Sequence, residues 1–197
     1  MIDQVTFSPA EVESTVVDAV AKSLLLKPSE IAINASLEDA YGAESLDMLE
    51  IVFALEKAFR IRLPHENILR GAEQKLGEGI FVRQGILTEQ GLEILRRLRP
   101  EIDASLFTGT VRVHELGRLM TAQTFVRLTL RLLESKEESL GVLRESGCSR
   151  CGSRAIYPSQ KAAEFVCHDC NATYPVPNGD AVLVEDVTKI YRENVRP

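Results

Sequence analysis

The sequence has no tryptophan, three histidines, and four cysteines that are confined to residues 148–170. No apolar run approaches the roughly 20 residues that a membrane-spanning helix requires. The first residues, MIDQVTFSPAEV, have neither the basic region nor the apolar region of a secretory signal. These absences lead us to expect a cytoplasmic protein that has no membrane span.

Motifs of catalysis are also missing from the sequence. There is no Ser-His-Asp or Cys-His arrangement, no P-loop and no glycine-rich dinucleotide fingerprint. The segment HELGR, with His114 and Glu115, lacks the second histidine of a zinc protease. We therefore expect no catalytic residue and a protein that is not an enzyme.

The negative charge is concentrated at one end of the chain. Residues 1–65 contain 11 Asp and Glu against 5 Lys and Arg, whereas the remainder is balanced. This acidity argues against nucleic-acid binding and favours basic protein partners, although a merely solvated acidic surface is the alternative.

Apolar spacing predicts two helices in the first third. In SPAEVESTVVDAVAKSLLL, Ser8 and Glu11 form a capping box around Pro9, and the apolar stripe consists of Val12, Val16, Val20 and Leu24. A second helix is predicted from Ser45 to Phe59, with a core face of Met48, Ile51, Val52, Leu55 and Phe59. Taken alone, Ser45 could be only the N-cap of this helix.

The second helix also has a smaller apolar face. Leu46 and Phe53 lie on this face beside Glu50 and Lys57, as in a helix that docks to a partner protein. Burial of both faces within the domain is the alternative.

The middle of the chain is predicted to be helical. After Pro64 we expect a short helix, then a small hairpin in GIFVRQGIL and a helix that Thr88 caps and Pro100 ends. A further short helix is expected in TVRVHELGRLM, and an amphipathic helix over 121–146. Alternating patterns that favour strands occur only after residue 150.

The segment GAESLDMLEIVFALEKAFRIRLP, together with this order of helices, resembles the acyl carrier proteins. The resemblance covers residues 8–70 and resumes at 108–120, with Glu44-Ser45-Leu46 in place of the usual Asp-Ser-Leu. It implies a helical bundle in which a transferase attaches 4'-phosphopantetheine to Ser45. The terminal thiol of that arm would hold an acyl group as a thioester.

The resemblance also implies which residues meet partner enzymes. Glu44, Asp47 and Glu50 match the acidic recognition positions of the family, and Leu46 and Phe53 match its apolar contact positions. The expected partners are a phosphopantetheinyl transferase and the acyl-loading and acyl-processing enzymes.

Two departures from the family stand out. Lys57, Arg60 and Arg62 replace residues that are usually acidic, and an insertion occupies about 71–108. We interpret the insertion as a surface elaboration. The alternative is that it covers or reshapes the acyl pocket.

The four cysteines form two pairs, Cys148-x2-Cys151 and Cys167-x2-Cys170, with fifteen residues between them. This spacing is typical of a four-cysteine zinc ribbon, in which four thiolates complete a tetrahedron. Gly152 and Asn171 follow the pairs and tolerate the left-handed backbone of such a turn. Two disulfides or free thiols are the alternative, and iron is a second candidate metal.

The tail containing YPVPNGDAVLV resembles a small zinc-ribbon family whose best-known members activate methyltransferases. The resemblance implies the fold and the metal; a methyltransferase partner is not carried over. Residues 147–197 are too few for a large core, so the metal is expected to stabilise this module.

These observations predict a mainly α protein with two modules. Residues 1–120 would be an acyl-carrier-type bundle with an insertion, 121–146 a connecting helix, and 147–197 a small β zinc ribbon. The chain would deliver an acyl group in fatty-acid, polyketide or related biosynthesis, with the ribbon as a docking module. The alternatives are an unmodified regulatory scaffold and an aminoacyl carrier.

Overall fold

The computed structural model describes residues 7–103 and 109–194. Part of the predicted insertion, the first six residues and the last three lie outside these ranges. Seven α-helices are described: α1 Pro9–Ser23, α2 Leu37–Tyr41, α3 Ser45–Phe59, α4 Ile68–Leu76, α5 Glu89–Leu98, α6 Ala122–Ser146 and α7 Gly179–Asn194. Short 3-10 helices lie at Pro28–Glu30 and Val113–Leu119.

Five short strands form two antiparallel sheets within the described ranges. They are β1 Val82–Arg83, β2 Ile86–Leu87, β3 Ile156–Pro158, β4 Glu164–Cys167 and β5 Thr173–Pro175. The first two pair as a hairpin, and the last three form a sheet in the order β3-β4-β5. The predicted class, a mainly α bundle with a small β module, is confirmed. None of the described helices is long and apolar enough to cross a membrane.

The first helix begins as its sequence predicts. The backbone N–H of Ser8 donates to Glu11 Oε2 over 2.7 Å, and the N–H of Glu11 donates to Ser8 Oγ over 3.3 Å. The valines of the predicted stripe are buried against Ile51, Leu55 and Phe59 of α3. Burial of these apolar faces, rather than helix propensity, holds the bundle together.

The long helix α6 is part of this same core. Its residues Ala122, Phe125, Val126 and Leu132 are buried with α1 and α3. Lys136, also buried, donates from Nζ to the carbonyl oxygen of Phe59 over 3.1 Å. The first half of α6 therefore completes the bundle core, in addition to leading towards residues 147–178.

The insertion forms a second core instead of a surface elaboration. Phe81, Leu92, Ile94 and Leu95 are buried together with residues of α4 and of α7. The ring of Phe81 meets that of Tyr191 edge-on, with centroids 5.5 Å apart. The surface interpretation was wrong because the apolar side of α5 faces this core.

The last helix, α7, was not predicted. The module assigned to residues 147–197 therefore ends as a ribbon before residue 179, and α7 packs on α4 and α5. The start of α7 is fixed by Asp180, whose Oδ1 accepts from the N–H groups of His65 and Glu66 over 2.9 and 2.8 Å. A Cβ at Gly179 would lie 2.7 Å from the nitrogen of Pro64, so only glycine fits this contact.

A third core lies in the ribbon. Leu140 of α6 is buried there with Ile156, Phe165, Val176, Cys148 and Cys167. Because α6 enters both this core and the bundle core, one helix joins the two modules.

Candidate functional site

Ser45 is the first residue of α3, and it is not the cap. The N-cap is Glu44, whose backbone N–H donates to Asp47 Oδ2 over 2.8 Å. Ser45 is exposed, and its hydroxyl makes no hydrogen bond to any residue that the structure describes. The interpretation of Ser45 as an N-cap was wrong, because the preceding residue already has that position.

Two backbone hydrogen bonds to α2 hold the turn before Ser45 in place. Gly42 ends α2 in the left-handed conformation, with φ of 70°, and its N–H donates to the carbonyl oxygen of Glu38 over 2.9 Å. Ala43 is buried, and its N–H donates to the carbonyl oxygen of Leu37 over 3.0 Å. The serine hydroxyl is thus presented at the surface from an ordered turn.

Ser45 lies at the N-terminal end of α3, where the first backbone amides of the helix are. The N–H groups at the start of an α-helix have no partner within the helix, and the helix dipole places partial positive charge there. Anionic groups such as a phosphodiester are stabilised at such an end. The arrangement can therefore accept a phosphate ester on Ser45 Oγ.

One side of α3 is exposed and apolar. Leu46 is 73% exposed, Phe53 55% and Leu49 42%. The alternative that both faces of α3 are buried was wrong. The exposed α3 face is defined here as Leu46, Leu49, Glu50 and Phe53. Leu49 was missed from the sequence, although its spacing of three from Leu46 and four from Phe53 places it on this face.

Charged residues border the exposed α3 face. Glu44 and Glu50 are exposed and Asp47 is half-buried. Glu50 Oε2 also accepts from Ser23 Oγ over 3.3 Å, which ties the end of α1 to α3. The five residues expected to recognise partners thus lie at the N-cap, Glu44, and within the first nine residues of α3, which begins at Ser45.

One surface groove adjoins Ser45, and it shares two lining residues, Met48 and Met120, with a second cavity. A surface groove of about 610 Å³ includes Glu38, Gly42, Ser45, Met48 and Met120 in its lining. An apolar cavity of about 330 Å³ lies between the bundle and the insertion, a size within the range of small-ligand sites. Its lining includes the same two methionines, with Val52, Leu63, Leu69, Leu95, Leu98, Arg99, Phe125, Leu128 and Leu183.

The insertion and α7 thus supply part of the wall of the apolar cavity. Leu95 and Leu98 of α5 and Leu183 of α7 line it opposite Met48 and Val52 of α3. Residues of the insertion therefore line a cavity beside the bundle.

The four cysteines form a candidate metal centre. Their sulfur atoms all lie within 4.8 Å of one another, with Cys148 3.5 Å from Cys170 and Cys151 3.6 Å from Cys167. A tetrahedral zinc with Zn–S bonds of about 2.3 Å places its sulfurs about 3.8 Å apart, so the donor set fits. The disulfide alternative was wrong, because a disulfide bond is only about 2.05 Å long.

The loops around the cysteines have the expected backbone. Gly152 and Asn171 are both left-handed, with φ of 74° and 57°. The N–H of Gly152 donates to the carbonyl oxygen of Cys148 over 2.7 Å, and that of Asn171 to Cys167 over 2.9 Å. Each turn lies beside one pair of cysteines, and the four sulfur atoms lie within 4.8 Å of one another. The cluster fits a zinc ribbon.

A tyrosine hydroxyl supports one of the thiols. Tyr174 Oη donates to Cys148 Sγ over 3.1 Å, and this hydrogen bond, with further hydrogen bonds from the backbone of Arg150 and Cys151, lowers the pKa of the Cys148 thiol to about 6. A thiolate is the form that binds metal. His168 stays outside the cluster, since its exposed ring contacts Asp169.

Comparison with known proteins identifies part of the chain. Residues 14–72 match the family described as "Phosphopantetheine attachment site". The acyl carrier protein of Amoebophilus asiaticus (strain 5a2) is 33% identical over 57 residues, which is 29% of this chain and 71% of that protein. No solved structure matches the chain. The matched range contains Ser45 and the exposed α3 face, and it ends before most of the insertion and the ribbon.

Proposed function

The chain belongs to the acyl carrier protein family, and on that premise we propose that it carries an acyl group on phosphopantetheine attached to Ser45. The observation that carries the proposal is the free, exposed hydroxyl of Ser45 at the first position of α3. An N-cap serine would have its oxygen occupied by a backbone amide. Here Glu44 caps the helix and leaves the serine available for modification.

The residues of this chain have two tasks at the attachment site. The N–H groups of the first turn of α3 would donate hydrogen bonds to the phosphate, and the bond from Glu44 to Asp47 keeps that turn in place. When attached, phosphopantetheine supplies a thiol on a flexible arm, which holds the acyl group as a thioester. The chain itself needs no catalytic residue for this role, because the loading and processing enzymes supply the chemistry.

The exposed α3 face is the proposed docking surface for those enzymes. Leu46 and Phe53 offer apolar contacts, and Glu44, Asp47 and Glu50 attract basic patches on the partner. The expected partners are the phosphopantetheinyl transferase and the enzymes of an acyl pathway such as fatty-acid or polyketide synthesis. Lys57, Arg60 and Arg62, at the other end of α3, would select against partners that require acidic residues there.

We further propose that Cys148, Cys151, Cys167 and Cys170 bind one structural zinc ion. Four thiolates fill the tetrahedron, so this centre keeps no open position for a substrate. The ribbon would then serve as a docking module that selects the partners of the carrier. Removal of residues 147–178 should in that case change partner choice and leave the modification of Ser45 intact.

The test is the intact mass of the protein after incubation with coenzyme A and a broad-specificity phosphopantetheinyl transferase. We expect a gain of one arm in the wild-type chain and none in Ser45→Ala. The control is Ser14→Ala, which removes another exposed helical serine and should not affect the gain. A folded wild-type protein without any gain would contradict the proposal and favour an unmodified scaffold. A native spectrum of the same sample reports whether zinc is bound.

A further inference from the structure

Leu25, just after the end of α1, combines two unfavourable features. Its backbone is left-handed, with φ of 56°, and its side chain is 92% exposed. A leucine in this conformation is strained, because its Cβ comes too close to the following carbonyl oxygen. Of the described residues other than glycine that have a positive φ, Leu25 is the one with an apolar side chain.

Two backbone hydrogen bonds hold Leu25 in this conformation. Its N–H donates to the carbonyl oxygen of Lys22 over 3.3 Å, and the N–H of Leu26 donates to that of Ala21 over 2.8 Å. This pair of bonds is the Schellman motif, in which the left-handed position is usually a glycine. The end of α1 therefore favours glycine at position 25, and packing within the chain does not explain the leucine.

The end of α1 lies against the part of α3 that follows Ser45. Ser23 Oγ contacts the carbonyl oxygen of Asp47 over 3.1 Å and Glu50 Oε2 over 3.3 Å. The Cα of Leu25, two residues further along, lies at most about 14 Å from that carboxylate, given 3.8 Å between consecutive Cα atoms. A partner patch of the usual size, about 800 Å², extends about 16 Å from its centre. A protein centred on the exposed α3 face therefore reaches as far as Leu25.

The protein that must cover this region is the one that modifies Ser45. Its active site has to reach Ser45 Oγ, so its surface lies over the first turns of α3, where the exposed Glu50 attracts basic groups. At the end of α1 the charge is opposite, because Lys22 and Lys27 are exposed on either side of Leu25. A fitting partner has a basic patch opposite α3 and an apolar recess opposite Leu25.

We propose that Leu25 is a docking contact of the phosphopantetheinyl transferase, buried in an apolar recess of that enzyme. The inference rests on the proposed attachment at Ser45, and it extends the exposed α3 face to a second element, the end of α1. Burial of a leucine that is exposed in the free protein stabilises only the complex. Leu25 thus determines specificity, because a transferase without the recess would leave this side chain in water.

The test is the steady-state rate of Ser45 modification by a broad-specificity phosphopantetheinyl transferase at varied concentrations of the unmodified protein. We expect Leu25→Gly to raise KM for the protein at least about fivefold and to leave kcat unchanged, the result of losing an apolar contact remote from the reacting atoms. The same substitution should raise the urea midpoint of unfolding, since glycine relieves the left-handed strain. A structural role of Leu25 would not give a more stable protein that docks less well.

Further variants separate the side chain from the backbone. Leu25→Ala keeps a Cβ in the left-handed conformation and removes the rest of the side chain, so it should raise KM as Leu25→Gly does. Leu25→Met retains the apolar bulk and should keep KM near the wild-type value. The matched control is Val142→Ala, which shortens a side chain that is 64% exposed on α6 and should leave KM unchanged.

The outcomes separate the two proposals. An unchanged KM in Leu25→Gly and Leu25→Ala would overturn the docking role and leave the carrier function intact. A lower urea midpoint in Leu25→Gly would overturn it as well, because the leucine would then stabilise the fold. A dimer in analytical ultracentrifugation that Leu25→Gly disperses would overturn it in favour of a second copy of the chain. Failure of the wild-type protein to gain the arm would instead overturn the proposed function.

Discussion

The backbone N–H of Glu44 donates to Asp47 Oδ2 over 2.8 Å, so the residue before Ser45 caps α3. The N-cap of a helix accounts for about 1 kcal/mol of stability. Because Glu44 and Asp47 already form this cap, Ser45 is not needed to stabilise the start of the helix. Its hydroxyl can be changed without loss of the helix start.

Replacement of Ser45 and replacement of Asp47 should therefore affect stability to different degrees. We expect Ser45→Ala to change the free energy of unfolding by less than about 0.5 kcal/mol. Asp47→Ala removes the acceptor for Glu44 and an acidic group from the first turn, and should cost about 1 kcal/mol. Urea unfolding measures both, and a loss of about 1 kcal/mol in Ser45→Ala would restore the cap interpretation.

Charge on the exposed α3 face should impair docking. We expect Leu46→Asp or Phe53→Asp to lower the rate of modification by the transferase at least about tenfold, the effect typical of a central interface residue. Stability should be unchanged, since both side chains are already in water. The control is Val142→Asp, because Val142 is 64% exposed on α6. Equal rates in all three variants would exclude this face as the docking surface.

Loss of one thiol should abolish metal binding. We expect Cys167→Ser to bind no zinc in native mass spectrometry and to unfold at a lower temperature, since metal binding contributes to folding of small modules. His168→Ala, a change in the adjacent residue, whose exposed ring contacts Asp169, should retain the metal. Acid should release zinc from the wild-type protein, because protons compete with the metal for the thiolates. Metal retained in Cys167→Ser would contradict the four-cysteine site.

The second core makes the insertion important for stability. Phe81 is fully buried, so Phe81→Ala should lower the free energy of unfolding by about 3 kcal/mol or more. Ile86→Ala, in the same hairpin but 36% exposed, should cost about 1 kcal/mol or less. Thermal and urea unfolding test the pair. Similar small losses in both variants would mean that the insertion is a surface elaboration after all.

Local sequence signals predicted the separate elements well. Ser8 with Glu11, Thr88 and the apolar stripe of α3 each act through residues three or four positions away, so their effect can be read without the fold. The cysteine pairs belong to the same class, because both of their turns are short.

Signals that depend on distant contacts were missed or misread. The helix α7 was missed because its segment was assigned to the ribbon by resemblance, while its helical face is explained only by its packing against α4 and α5. The neighbours that bury α6 could not be identified from the sequence for the same reason. Its pattern predicts a helix, but the pattern does not say whether α1 or solvent covers the apolar side.

By itself, the sequence determined where most helices begin and end, which serine lies at the start of α3, and which four thiols can meet. These properties depend on hydrogen bonds and spacing within a few residues. Only the tertiary structure decided that Glu44 caps α3 and that the insertion forms one wall of a cavity. Cavities and their charges arise between elements far apart in the chain, because packing of their apolar faces determines which side chains meet.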